Sequence, residues 1–266
     1  MAVKANETLE QARERNIRDA LAEDIGSGDW TAMLVPQGTT VRARVVVREA
    51  AVLAGRDWFS GCLHALDTTA RIDWRYADGD SMAPDRMVCE IDGDARALLS
   101  AERPALNFLQ LLSATATATR RHVDAIAGAS PNPRGCVVLD TRKTIPGLRQ
   151  AQKYAVRVGG GGNQRLALWH GILIKENHIA AAGGVGAALR SAAALNSGVE
   201  TQIEVETLDQ LRQALAAGAR NVLIDNFSLA QMREAVAVSA TALRMRSSVK
   251  LSSSTLRAPP ASAARS

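Results

Sequence analysis

Four cations stand at the ends of short apolar runs or in the loops that follow them: Arg142, Lys143, Arg165 and Lys175. Arginine offers a planar fork that grips carboxylate or phosphate bidentately, and lysine offers a compact point charge. Four of them within one stretch, Leu139 to Asn177, suit an anionic small molecule; the bland alternative is a solvated loop. Thr141 and Thr144 could add hydroxyl donors to the same anion. Glu204 and Asp225 close two later apolar runs, where their carboxylates could share a cleft with those cations. Such a pair could hold sugar hydroxyls or Mg²⁺, which takes one or two carboxylates plus substrate phosphates; a structural ion pair is the competing reading. Glu206 has the side-chain parity of Glu204, so the pattern alone does not choose between them. Arg103 precedes Pro104 in a long helix-favouring stretch, where a break could project one charge into a cleft or leave a solvated surface arginine.

The elements that must position these groups are legible as periodicity. Glu7 to Asp24 places Leu9, Ala12, Ile17, Ala20 and Leu21 on one helical face, and Gly26-Ser-Gly ends it. Val41 to Arg48 alternates as a half-buried strand. A helix at 56–66 and strands at 71–76 and 87–91 follow, an order that reads as a small α+β domain. Ala95 to Gly128 reads as one long helix, broken or kinked at Pro104, with Leu98, Leu99, Leu106, Leu109 and Leu112 as its core stripe. From Val137 the pattern changes to apolar runs ending in charge, at 137–140, 172–175, 203–206 and 222–225. Helical stretches at 147–158, 185–195, 208–217 and 228–238 alternate with them. This is the signature of a parallel α/β sheet or barrel, folds that carry their sites at the carboxyl ends of strands. Four units are too few for a closed eight-stranded barrel.

Composition narrows the classes. With 47% hydrophobic and 22% charged residues in 266, the chain can bury a real core. Aromatics at 3% argue against base-stacking platforms. The net charge of +5 is concentrated in the last 28 residues, which hold five basic and no acidic side chains; the body is close to neutral, so no nucleic-acid partner is expected. No apolar signal or membrane span is visible, which predicts a cytoplasmic protein with no membrane partner. Cys62, Cys89 and Cys136 are scattered and odd in number, suggesting reduced thiols rather than zinc or disulfides. Four histidines show no metal-like spacing, with His178 the one nearest the candidate site. The glycine run 159–162 is no phosphate-binding fingerprint; it leaves open a close approach to ligand or a plain flexible loop.

With these residues in view, the chain resembles the quinolinate phosphoribosyltransferases. The resemblance runs from Ala20 to Ala237 and rests on Glu23-Asp-Ile-Gly-Ser-Gly-Asp-Trp-Thr, Ala54-Gly55, Glu102-Arg-Pro-Ala-Leu-Asn-Phe-Leu, Asp140-Thr-Arg-Lys-Thr-Ile-Pro-Gly-Leu-Arg, Leu173-Ile-Lys-Glu-Asn-His-Ile, Ile203-Glu-Val-Glu and Ile224-Asp-Asn-Phe. It implies an α/β protein: an N-terminal α+β sandwich domain over 1–112, then an incomplete (β/α) barrel, missing its last units, over 113–240. It further implies a homodimer with Arg103 contributed across the interface, quinolinate and 5-phosphoribosyl 1-pyrophosphate as substrates, and Mg²⁺ as cofactor. Carried over by motif, Arg103, Thr141, Arg142, Lys143, Arg165 and Lys175 would hold carboxylates and phosphates. Glu204 and Asp225 would serve the ribose hydroxyls and the metal, which separates Glu204 from Glu206; Lys143, Lys175, Glu204 and Asp225 form the expected catalytic set. The alternative is a catalytically impaired relative that binds a pyridine carboxylate or pairs with an intact paralogue. The chain departs from the family pattern at Gln164 (His), His170 (Asp), Ala114 (Gly) and Pro104 (Thr). The family's Ser-Gly-Gly falls over Arg246-Ser-Ser, and its Gly-x-Leu-Thr loop has no counterpart. The stretch 241–266 is therefore expected as an atypical, disordered tail arising from a frame change or a degraded end.

Overall fold

The computed structural model of the chain describes residues 7–130, 135–242 and 248–251. The fold divides into two compact units after Leu166.

In the first unit, α1 (Leu9–Ile25) starts at a capping box in which Thr8 Oγ1 accepts from the Gln11 N–H at 3.2 Å and Gln11 Oε1 accepts from the Thr8 N–H at 2.8 Å. It buries Ala12, Asn16, Ile17 and Leu21. Asn16 is satisfied on both sides: its Oδ1 accepts from Trp58 Nε1 at 3.3 Å and its Nδ2 donates to the Gly147 carbonyl at 3.1 Å. The strands β1 (Thr40–Val46), β2 (Ala51–Val52), β3 (Arg71–Trp74), β4 (Ser81–Met82) and β5 (Met87–Asp94) are joined by α2 (Arg56–Leu66) and followed by α3 (Ala95–Ala125). One antiparallel sheet has the order β1-β5-β3, and β2 pairs with β4 in a second short ladder. The core lies between these strands and the helices, around Leu53, Trp58, Phe59, Cys62, Cys89 and Leu112. Gly55 opens α2 at φ 101°, and a Cβ there would lie 2.9 Å from Leu112, so both backbone and packing require glycine.

Helix α3 runs unbroken through Pro104, against the expected break. The missing N–H and ring clash cost about 3 kcal/mol. Burial of Leu98, Ala101, Ala105, Phe108, Leu109 and Leu112 along one face outweighs that. Leu99, expected in the stripe, is instead 48% exposed; it lies one residue off the face set by Leu98. The run 137–140 is not a strand: it forms a single bridge, Leu139 to Gly162, because among the described residues only the glycine loop pairs with it. Helix α4 (Arg149–Val158) packs on α3 and α1. Its Tyr154 hydroxyl donates to Asp78 at 2.7 Å, and the same carboxylate accepts from the N–H groups of Gly55 and Arg56 at the start of α2. Burial, followed by the hydrogen bond to Asp78, pushes the Tyr154 phenol well above its ordinary range.

In the second unit, β6 (Ile172–Ile174), β7 (Thr201–Val205), β8 (Asn221–Ile224) and β9 (Ser248–Leu251) form a parallel sheet in that order. The connections are α5 (Glu176–Ala182) with α6 (Val185–Ala194), then α7 (Leu208–Ala216), and α8 (Leu229–Ala242) precedes β9. Ile174, Ile203, Val205, Leu211, Val222 and Ile224 form the core under it. The expected disordered tail thus contains a strand: Asn221 to Ile224 pair in register with Ser248 to Leu251. The apolar alternation there spans only Val249 and Leu251, too short to read as a strand in a Ser- and Arg-rich stretch. Arg246, Ser247 and everything after Leu251 lie outside the described residues. No described helix is long and apolar enough to cross a membrane.

Two consequences can be measured. Cys62 and Cys89 are buried, which pushes their thiols up to about 12, while Cys136 is exposed. Native protein at pH 8 is expected to release one equivalent of chromophore rapidly with a thiol-exchange reagent, and three after denaturation. Asp67 accepts from the Asp94 N–H at 2.9 Å and from the Thr69 N–H and hydroxyl at 2.8 and 2.7 Å. Those bonds, led by Asp94, hold its carboxyl below the usual range. A depressed folded pKa stabilises above the unfolded value and loses that contribution as pH falls through the folded one. Asp67→Asn should therefore lower the melting temperature at pH 7 and lower it less near pH 3.

Candidate active site

In the first unit two loops carry the predicted groups. The first, Asp140 to Thr144, folds back on itself: Thr141 Oγ1 accepts from the Lys143 N–H at 3.0 Å and the Arg142 carbonyl accepts from the Thr144 N–H at 3.0 Å. This turn leaves Thr141 and Lys143 exposed and Arg142 half-buried. The Lys143 ammonium is exposed with no partner among the described residues, and Arg142 Nε is buried without one. A buried guanidinium nitrogen left unbonded is costly in a finished fold and is expected where a ligand completes it.

The second loop runs from Gly159 to Leu166 and presents Gln164 and Arg165. Its glycines are neither a flexible linker nor a ligand cradle. A Cβ on Gly159 would stand 2.5 Å from the Ala116 carbonyl and 2.7 Å from Thr119, and one on Gly161 would stand 2.8 Å from Val156. The loop lies directly on α3, held by Arg120 Nε donating to the Gly159 carbonyl at 3.0 Å. From that anchor it emerges beside the first loop, where Asp140 N–H donates to the Gly162 carbonyl at 3.1 Å.

Asp140 and Lys153 bind the two loops from beneath. They form an ion pair at 2.5 Å with 6% and 3% of their side chains exposed. Asp140 also accepts from the Gln164 N–H at 2.8 Å, and Lys153 donates to the Gln164 carbonyl at 3.2 Å. In the amide orientation that satisfies both groups, Asn163 Nδ2 donates to Asp140 Oδ2 and to the Lys153 carbonyl, each at 3.0 Å. One turn earlier on α4, Arg149 donates to Thr144 Oγ1 at 3.1 Å, to the Leu166 carbonyl at 3.3 Å and to the Arg142 carbonyl at 3.5 Å. Arg149 closes the motif that begins at Asp140 but has no role assigned by it, and Lys153 lies outside the quoted motifs. Basic residues four apart in a polar helix read as a solvated face.

In the second unit the predicted groups follow the sheet register. Lys175 leaves β6 and donates to Glu204 Oε1 at 3.2 Å, with the lysine 46% and the glutamate 12% exposed. Asp225 follows β8, its N–H donating to the Val205 carbonyl at 3.0 Å, so neighbouring strands present Glu204 and Asp225 as expected. Glu206 has a different partner: its carboxylate accepts from Asn226 Nδ2 at 3.2 Å, and Asn226 adopts φ 60° to reach it. Glu204 and Glu206, alike by parity, are thus separated by what they touch. His178 Nδ1 accepts from the Lys175 N–H at 3.0 Å, fixing the backbone at the lysine rather than presenting a free imidazole nitrogen there. Among the described residues no three His, Cys, Asp or Glu side chains form a protein-only metal cage. Arg103 is exposed on α3 with no partner among the described residues.

Comparison with known proteins agrees with these motifs. The family model for the N-terminal domain of quinolinate phosphoribosyl transferase matches residues 29–113, and that for its C-terminal domain matches 115–256. A probable nicotinate-nucleotide pyrophosphorylase (carboxylating) of Bacillus subtilis is 40% identical over 77% of this chain and 69% of its own. The Mycobacterium leprae nicotinate-nucleotide pyrophosphorylase (carboxylating) is 41% identical over 85% of this chain and 79% of its own. The solved nicotinate-nucleotide pyrophosphorylase from Francisella tularensis superposes with a TM-score of 0.84 at 40% identity, over 93% of this chain and 84% of that one.

Proposed function

The chain belongs to the quinolinate phosphoribosyltransferase family, and we propose on that premise that it transfers phosphoribosyl from 5-phosphoribosyl 1-pyrophosphate to quinolinate. The products are nicotinate mononucleotide, pyrophosphate and CO₂, a step of pyridine nucleotide and NAD biosynthesis carried out in the cytoplasm. The observation that carries the reading is Arg142 Nε, buried without a hydrogen-bond partner among the described residues, one position before the exposed Lys143. Arg142, Lys143, Arg165 and Thr141 take the quinolinate carboxylates and substrate phosphates. Lys175, Glu204 and Asp225 serve the phosphoribosyl group, Glu204 and Asp225 at its hydroxyls.

The pyridine nitrogen bonds to the sugar carbon as the bond to pyrophosphate breaks. Positive charge grows on the sugar and negative charge on the leaving group. Cations fixed beside the leaving group and carboxylates beside the sugar stabilise that separation without reorganising, and orientation of two bound reactants supplies much of the rest. The 2-carboxylate then leaves as CO₂ and the ring carbon takes up a proton. The oxygen-only donor set of Glu204 and Asp225 fits Mg²⁺, which needs no protein-only cage. When bound, it would supply charge neutralisation at the pyrophosphate.

The same reading makes the protein a homodimer to which Arg103 contributes across the interface. An open cleft of 1020 Å³ between β1 and α3, lined by Val41, Val45, Leu99, Leu106 and Leu109 and edged by Arg48, Glu102 and Arg121, supports it, since it offers apolar side chains for a partner to cover. Sedimentation equilibrium should give twice the chain mass, and Leu106→Asp should give a monomer without activity. A substrate panel tests the chemistry: turnover with quinolinate but not with nicotinate or nicotinamide is expected, and turnover of a mono-carboxylate instead would replace the reading with a different transferase.

A further inference from the structure

We infer that Arg149 and Lys153, four residues apart on one face of α4, are positioning residues: a two-point clamp that sets the spacing between the loop of Arg142 and Lys143 and the loop of Gln164 and Arg165. Residues at this spacing lie one above the other on a helix, so one rigid rod presents both cations to both loops. Each cation bonds to both. Arg149 reaches Thr144 Oγ1 and the Arg142 carbonyl on one side and the Leu166 carbonyl on the other. Lys153 reaches Asp140 on one side and the Gln164 carbonyl on the other.

A plain stabilising role accounts less well for the pair. Two charges as deep as Asp140 and Lys153 gain little over a well-packed apolar pair of the same volume, which is often as stable or more so. What the apolar pair lacks is directed donors, and an ammonium has three. The two clamp contacts at 164 go to its main chain, through the N–H to Asp140 and the carbonyl to Lys153.

The inference rests on the transferase reading only for its kinetic arm. The test uses full-length protein carrying Asp140→Asn with Lys153→Met, which removes both buried charges together and keeps the volume, and Arg149→Met separately. Hydrogen exchange of peptides spanning 139–146 and 160–167 should speed up in both proteins while 98–122 of α3 stays as in wild type. kcat/KM for quinolinate should fall about 100-fold, the order expected for a misplacement near 1 Å, mainly through KM. Folded variants with unchanged loop exchange, or with kinetics within twofold of wild type, would overturn the inference. If the double variant fails to fold, Arg149→Met carries the same two readouts. An inactive wild type would defeat the transferase reading, and the exchange comparison would still decide the clamp.

Discussion

Asp140→Ala is expected to cost about 3–5 kcal/mol of folding stability, the largest structural loss of any substitution considered. The mutation leaves the Lys153 ammonium, 3% exposed, without its carboxylate. It also removes the acceptors for the Gln164 N–H and the Asn163 amide. Lysine in that place is left as a buried charge without a counterion, which penalises the folded state. Urea denaturation monitored by tryptophan fluorescence should show the midpoint falling with an unchanged slope. A midpoint within experimental error of wild type would mean that the pair is solvated in solution. The neutral double substitution at 140 and 153 should recover most of the loss, since it removes the uncompensated charge rather than creating one.

The second large effect is functional and should appear with almost no change in stability. Lys175→Ala removes the ammonium bonded to Glu204, and its lysine is 46% exposed. An exposed pair of this kind contributes about 0–1 kcal/mol to folding. If it serves the phosphoribosyl group as proposed, its preorganised charge is worth far more in the transition state, and kcat should drop by about 10²–10³. Steady-state kinetics beside a thermal melt separates the two. A melting shift of many degrees with modest loss of kcat would make the pair a structural one. On the proposed function, Asp140 and Lys175 divide the chemistry: one residue holds the loops, the other acts on the substrate.

That division explains how far the sequence could be read. Groups at strand ends were legible because the apolar runs announce the strands, and the parallel pairing of β6, β7 and β8 brings Lys175, Glu204 and Asp225 to their ends. Periodicity could not separate Glu204 from Glu206, since their difference lies in Lys175 and Asn226, residues distant in the chain. The run at 137–140 misled because an apolar pattern needs a partner to become a strand, and a glycine loop offers it one bridge. Pro104 misled in the other direction: local propensity predicts a break, and the buried face of α3 overrides it. Lys153 stayed hidden because its burial depends on Asp140, and nothing in a polar helix tells a buried lysine from a solvated one. The same limit concealed β9, whose two apolar residues acquire meaning only beside β8.

The transfer with decarboxylation is tested most directly by stoichiometry. Purified protein would be given quinolinate labelled in its 2-carboxylate, 5-phosphoribosyl 1-pyrophosphate and Mg²⁺, and nicotinate mononucleotide, pyrophosphate and labelled CO₂ would be counted. Equal yields of all three, abolished in Lys175→Ala, are the predicted result. Quinolinate that binds in calorimetry but yields no labelled CO₂ and no nucleotide would contradict it, leaving a protein that recognises the pyridine dicarboxylate without turning it over.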